Sequence, residues 1–381
     1  MGGQALGAAA QLAPAVLALE IAAASGVAPT MIGVYAGIVF FAAAIASLGG
    51  GGLIARYGGV RAVQVGVFLS GAGVALAALG NPAALAASAF VIGLGYGPMT
   101  PASSVVLAHW APAHRLGLVM SIKQTGVPLG YFATGVILPW LAATVGWQTA
   151  MLALAGVTAV AALALGPAAK RLDQRSRNIR SGFASARQSL SLLRRHPKLL
   201  RIAMASLAFA GIQVTVTSFL VVYLESEAGL SKSLAAWPLA VAGVAAVAGR
   251  IGWGALADLT PAARLLAVLP ILMAGALIFL LLVGPDAEIV ALTALGLALG
   301  LSVLAWNGVM LIEAARQAPA GEIGLATSGV LALTFLGSTV FPQLLSLTVG
   351  ALGSYAIGFG GMIVTALLVT VFYLPDAIKK S

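Results

Sequence analysis

Lys123 is the residue of this chain best placed to do chemistry. It stands in Ser121-Ile122-Lys123-Gln124-Thr125-Gly126-Val127-Pro128, inside a long run of otherwise uncharged sequence. An ammonium held away from water needs a cavity, a partner or a charged solute. Its chemistry would be that of a counter-charge for an anion; the alternative is a flexible stem snorkelling to the headgroups. Gln124 follows it directly. Thr100, Asn307, Trp306, Gln213, Thr215, Thr217 and Gln11 are further polar or hydrogen-bonding side chains set in apolar sequence. Such groups either touch a solute or hydrogen-bond between helices. A second set, Arg56, Arg250, Asp258 and Glu313, lies toward the ends of apolar runs. These residue types can form a network of ion pairs that closes one face of a molecule, or simple interfacial pairs.

Other chemistries lack their residues. No Gly-rich phosphate loop leads into Lys-Ser/Thr, no His-Glu-x-x-His occurs, and no pair of carboxylates lies inside an apolar run. Cysteine is absent, which removes disulfides, thiolate metal sites and cysteine nucleophiles. His109, His114 and His196 fall at or beyond the ends of apolar runs. The chain is therefore expected not to be an enzyme, and to hold no metal and no cofactor.

The elements that position these side chains follow from composition. Hydrophobic residues make up 61% of the chain and charged residues 8%, against about 25% charged in soluble domains. Mean hydropathy is +1.05. The fold class expected is an all-α polytopic membrane protein. Spanning the hydrocarbon takes about 20 apolar residues, and twelve such stretches fit: 5–25, 31–54, 62–80, 84–109, 117–141, 147–168, 202–224, 233–257, 263–284, 287–314, 323–349 and 352–374. The breaks carry turn residues, such as Gly80-Asn81-Pro82 and Gly284-Pro285-Asp286. At 1.5 Å per residue, Lys123 lies roughly 9 Å short of the middle of the fifth span. Pro98, Pro101 and Pro128 should free carbonyls and bend the fourth and fifth spans.

Residues 170–201 divide the chain. Ten of its twenty Lys and Arg lie there, against one acid, Asp173. The expected organisation is 1–168 as an N-terminal six-helix bundle, 169–201 as a basic linker, and 202–381 as a C-terminal six-helix bundle. Phe183, Ala186, Leu190 and Leu193 fall at helical spacing, so Ser181 to Lys198 reads as an amphipathic helix on the membrane surface. A net charge of +10 then reports topology and anionic lipid rather than nucleic acid. An even number of spans around a cytoplasmic linker puts both termini inside. Arg56, Arg61, His114, Arg115, Arg264, Arg316, Lys379 and Lys380 then share the cytoplasmic side, and Lys232 is the basic residue left outside.

An internal repeat agrees. Ala111-Pro112-Ala113-His114-Arg115-Leu116-Gly117-Leu118-Val119-Met120-Ser121 matches Ala318-Pro319-Ala320-Gly321-Glu322-Ile323-Gly324-Leu325-Ala326-Thr327-Ser328 at six of eleven positions, 207 residues apart. Gly51 and Gly254 correspond at an offset of 203. Two halves in one orientation are parallel repeats about an axis along the membrane normal. Thr100 and Asn307 correspond at offset 207, whereas Lys123 answers to Val330, so the lysine is not a shared scaffold feature.

With these features the chain resembles the major facilitator superfamily over all twelve spans. That family's loop signature after the second span is Gly, three residues, Asp-Arg, one residue and Gly-Arg-Arg. Here Gly51-Gly52-Leu53-Ile54-Ala55-Arg56-Tyr57-Gly58-Gly59-Val60-Arg61 keeps the glycines and Arg56 and carries Ala55 in place of the acid. In the second half Gly254-Ala255-Leu256-Ala257-Asp258 keeps the acid, and Leu259 replaces the arginine. The resemblance implies two pseudo-symmetric six-helix bundles, alternating access, and a loop that helps lock the cytoplasmic gate. It implies that the first, fourth, seventh and tenth helices surround the cavity, where Thr100 and Asn307 could face solute and Trp306 form an apolar wall.

The resulting expectation is a secondary transporter in the cell inner membrane, acting as a monomer on a small organic solute such as a carboxylate, with protons as a coupling ion and lipids as partners. The alternatives are a proton-coupled exporter of hydrophobic compounds and a non-transporting membrane sensor or scaffold.

Overall fold

A computed structural model describes residues 1–26, 32–173 and 183–378. The linker residues 174–182, with Arg175, Arg177, Arg180 and Ser181, and the terminal Lys379 and Lys380, lie outside the described residues.

The described chain is helical. In the first half run α1 (Gly2–Val16), α2 (Ala18–Ser25), α3 (Ile32–Tyr57), α4 (Gly59–Ala77), α5 (Pro82–Trp110), α6 (Leu116–Gln124), α7 (Gly126–Val145), α8 (Trp147–Ala164) and α9 (Gly166–Leu172). Next come α10 (Phe183–Arg195), α11 (Pro197–Ser226), α12 (Lys232–Leu259), α13 (Ala262–Leu282), α14 (Ile289–Leu301), α15 (Asn307–Gln317), α16 (Ile323–Leu352) and α17 (Tyr355–Ile378). Among the described residues, ten helical stretches are long and apolar enough to cross a membrane.

The two expected spans missing from that ten are each built from two shorter helices. The first, 5–25, is α1 and α2 with a break at Leu17, three residues beyond Pro14. The tenth, 287–314, is α14 and α15, separated by turns at Ser302–Trp306. The fifth span also loses its helix for one residue at Thr125. Pro128 lacks the N–H that would bind the carbonyl of Gln124, so the ladder is weakest there. Pro98 and Pro101, by contrast, lie inside an unbroken α5. That helix starts as its sequence dictates: Asn81 Oδ1 accepts the Ala84 N–H at 2.9 Å, and Pro82 takes the first turn.

Small residues set the closest packing. A Cβ at Gly93 or Gly97 of α5 would lie 2.3 Å from the Val39 or Ala43 carbonyl oxygen of α3. At Gly296 and Gly300 of α14 it would meet the Pro238 and Ala242 carbonyls of α12 at 2.7 and 2.5 Å. The glycines correspond at the offset of 203 already seen for Gly51 and Gly254, and their carbonyl partners at 199, one helical turn away, so the repeat recurs as close backbone contact in both halves. Large apolar side chains, among them Phe132, Trp140, Val160 and Leu163 of α7 and α8, face outward, as a lipid-bathed surface requires.

Two compact units make up the fold. One contains Met1–Ala111, Lys123–Leu200 and Gln317–Phe335; the other contains Pro112–Ile122, Arg201–Arg316 and Leu336–Ser381. Each draws mainly on one half of the sequence and takes one segment from the other half. Those two segments hold most of the eleven-residue repeat. In the second unit, Ser121 packs against Gly254 and Gly308, where added Cβ atoms would come within 2.2 and 1.8 Å of its hydroxyl. In the first, Ser328 meets Gly50, Leu325 covers Gly51, and the Ser47 hydroxyl donates to the Ser328 carbonyl at 3.0 Å.

The amphipathic helix forms as α10, but its buried face is not the expected stripe. Ser185, Ser189, Leu192 and Leu193 are buried, while Leu190 is 39% exposed. The helix lies against α3 and Gly329 of α16.

Candidate functional site

The first unit gathers a polar cluster around Lys123. The side chain is 3% exposed and turns into the bundle. Nζ donates to the Ser104 hydroxyl at 3.0 Å and to the Thr100 carbonyl at 3.4 Å. Thr100 Oγ1 in turn accepts from Gln4 Nε2 at 2.6 Å. Gln124 and Thr125 beside the lysine are also buried. Position follows from sequence: Thr100 and Ser104 lie one turn apart on α5, and Lys123 is the last residue but one of the short α6, just before the break that Pro128 induces. Gly126 and Gly130, four residues apart, let α7 approach the backbone of α1, where a Cβ at Gly130 would lie 2.2 Å from the Ala5 oxygen. That approach brings Gln4 to the cluster. The two hydrogen bonds given for Nζ both go to neutral acceptors.

Gln11 is placed elsewhere, as the acceptor for the Tyr131 hydroxyl. Gln4 and Ser104 escaped the sequence reading, although each carried a signal. Gln4 precedes Gln11 by seven residues, two helical turns on the same face, and Ser104 follows Thr100 by four.

The second unit gathers a different group. Trp306 is buried, donates through Nε1 to Gln213 Oε1 at 2.8 Å, and meets the Phe209 ring edge-on at 5.6 Å. Asn307 opens α15 next to it. Thr215 and Thr217 turn their hydroxyls back to carbonyls of their own helix. The unwound stretch of the tenth span is held by α12: Trp253 Nε1 donates to the Leu301 carbonyl at 2.7 Å, and Arg250 Nε to the Leu304 carbonyl at 3.0 Å. Broken helices in lipid need such replacement partners. Arg250, 4% exposed, thus supports irregular backbone.

Each of the remaining gate residues has its own surroundings within its unit. Arg56 is exposed and lies over the Tyr57 ring at 5.3 Å. Glu313 is half-buried on α15. Asp258 caps a helix: Oδ1 and Oδ2 accept the Gly117 and Leu118 N–H groups at 2.8 and 3.0 Å, at the start of α6. Arg316 Nη2 stands 3.5 Å from Oδ1, while its Nη1 donates to the Ala257 carbonyl at 2.9 Å. A carboxylate there meets unsatisfied N–H groups and the positive end of the helix dipole.

Asp173 repeats this arrangement in the first unit, accepting the Val60 and Arg61 N–H groups of α4 at 2.6 and 3.0 Å. Gly58, at φ +95°, leaves room for it, since a Cβ there would lie 2.2 Å from the Asp173 Cγ. Only its isolation among cations marked this acid in the sequence. Among the described residues no cluster of His, Cys, Asp and Glu could hold a metal ion.

Comparison with known proteins then bears on the whole arrangement. The Major Facilitator Superfamily profile matches residues 3–342. No match was found among curated proteins. Solved structures share the fold, two of them as follows. One is the proton:xylose symporter XylE bound to 6-bromo-6-deoxy-D-glucose, with TM-score 0.72, 16% identity, and 98% of this chain and 94% of that chain covered. The other is a variant of the E. coli fucose:proton symporter FucP, with TM-score 0.73, 16% identity, and coverage of 99% and 97%. With a family profile over most of its length and the same fold end to end, this chain belongs to the major facilitator superfamily.

Proposed function

We propose that the chain is a secondary active transporter that carries a small organic anion, such as a carboxylate, across the inner membrane by alternating access. The observation behind the anion is Lys123. Its ammonium is buried, and its described partners are the hydroxyl of Ser104 and the carbonyl of Thr100. Neutral acceptors do not balance a desolvated charge; an anionic solute at this position would. Thr100, Gln4 and Gln124 would supply neutral hydrogen bonds beside it. Asn307, Trp306 and Gln213 would serve as the solute-facing group of the other half, and the sequence halves 1–168 and 202–381 as the two moving bundles. XylE and FucP are named as proton symporters, which supports protons as the coupling ion. In the gate, Asp258 with the α6 N-terminus and Arg316 would make the contact broken on opening; Arg250, Arg56 and Glu313 are the further gate residues proposed on the sequence.

The test is binding of a panel of organic acids to purified protein. Losing one charge-assisted hydrogen bond costs about 1.5–3 kcal/mol, so Lys123→Ala should weaken the best acid by roughly one to two decades. Lys123→Arg should retain part of the affinity, because the charge stays and its shape changes. Asn307→Ala serves as the neutral-contact control. Unchanged affinity in Lys123→Ala removes the anion reading and leaves the exporter of hydrophobic compounds ahead.

A further inference from the structure

The docked face of α10 is poorly suited to staying docked. It buries Ser185 and Ser189 at 0% exposure together with Leu192 and Leu193. The Ser185 hydroxyl accepts the Gly52 N–H of α3 at 2.7 Å. Around it, Ser189 Oγ and Gln188 Oε1 are buried with no hydrogen-bond partner among the described residues, and such atoms oppose burial. The same face reaches α16, where a Cβ at Gly329 would lie 3.1 Å from Leu193 and 3.3 Å from the Ser189 carbonyl. One short helix thus holds an element of the first half of the sequence to one of the second.

The opposite face has another use. Leu190 is exposed between Arg187 and Arg194, three residues before it and four after, with exposed Arg195 adjoining. Apolar side chains flanked by cations on an amphipathic helix suit an anionic membrane surface. The stripe of Phe183, Ala186, Leu190 and Leu193 is more apolar than the face now buried, and docking divides it by taking Leu193 and leaving Leu190 out. A stripe split in this way is recovered when the helix lets go of the protein and lies in the interface.

We infer that α10 is a releasable strap: docked, it ties α3 to α16, and released, it lies on anionic phospholipid through Arg187, Arg194 and Arg195. The occupant of the released face is lipid rather than a soluble anion, because Leu190 among the arginines needs an apolar phase. Acidic lipid would thereby set how readily α3 and α16 separate. The inference does not depend on the identity of the solute.

The absence of native cysteine makes the test direct. Spin labels at Ser191→Cys and Tyr57→Cys, measured by pulsed electron resonance in nanodiscs, report the distance between α10 and the end of α3. In phosphatidylcholine alone one short distance is expected; added phosphatidylglycerol should introduce a longer one. Replacing Arg187, Arg194 and Arg195 by Gln should cut the longer population roughly a hundredfold while keeping the short distance, which also shows that the variant is folded. Ser185→Ala should raise the longer population about fivefold by removing the Gly52 bond, and Ser189→Ala should lower it. Inorganic phosphate added to neutral nanodiscs should leave the short distance alone. A distribution that ignores phosphatidylglycerol, or a longer population that persists without the arginines or appears with free phosphate, overturns the inference.

Discussion

Asp258 and Asp173 show how one carboxylate serves different ends at the scale of a residue. Each receives two N–H groups at the start of a helix from another part of the chain. Capping side chains contribute about 0.5–2 kcal/mol. Asp258→Ala should therefore destabilise the protein by about 1–2 kcal/mol, seen as a lower apparent Tm in detergent. The exposed Asp286→Ala should leave it unchanged. The acid at position 258 stood out in the sequence because a signature glycine precedes it by four residues. Its partners did not, since Gly117 and Leu118 are brought there by packing over a separation of 140 residues. An equal effect of both substitutions would assign Asp258 no special role.

At the scale of elements, glycine decides which helices touch. Gly97→Ala places a Cβ 2.3 Å from the Ala43 carbonyl oxygen, whereas a Cβ at Gly37 of α3 meets nothing within 4 Å. Rigid backbone cannot move aside for a methyl as a flexible side chain can. Gly97→Ala should cost about 1–3 kcal/mol and lower the yield of monodisperse protein on size exclusion. Gly37→Ala should match the parent. In the tenth span, irregular backbone survives because Trp253 and Arg250 occupy its carbonyls. Hydropathy read residues 287–314 as one continuous helix, because a window average does not register where the backbone ladder is interrupted. The same blindness hid the break at Leu17.

Orientation belongs to the scale of the whole molecule. The distribution of Lys and Arg supports a cytoplasmic linker and cytoplasmic termini. Cysteines at the exposed positions His114 and Ser231 should respond oppositely to an impermeant thiol reagent in intact cells. Labelling is expected at Ser231→Cys and protection at His114→Cys, and the reverse pattern would invert the topology. At this scale too, the two compact units exchange the segments Pro112–Ile122 and Gln317–Phe335. The repeat marked both segments as equivalent, and both pack on glycines of the other half of the sequence: Ser121 on Gly254 and Gly308, Ser328 on Gly50 with Leu325 on Gly51.

By itself the sequence determined the solvent, the helical class and the twofold plan. Those follow from local quantities: apolar run length, turn residues at the breaks, and a repeat of fixed offset. The amphipathic helix was legible for the same reason, as a matter of period. What the tertiary structure decided is which face of that helix is buried, which way Lys123 points, and what each acid holds. Periodicity ranks the faces of a helix by hydrophobicity alone. The docked face of α10 is chosen instead by close fit: the Ser185 hydroxyl meets the Gly52 N–H, and Leu193 lies against Gly329, where a Cβ would come within 3.1 Å. Lys123 likewise had two physically allowed directions, and the hydroxyl of Ser104 with the carbonyl of Thr100 on a neighbouring helix selected the inward one.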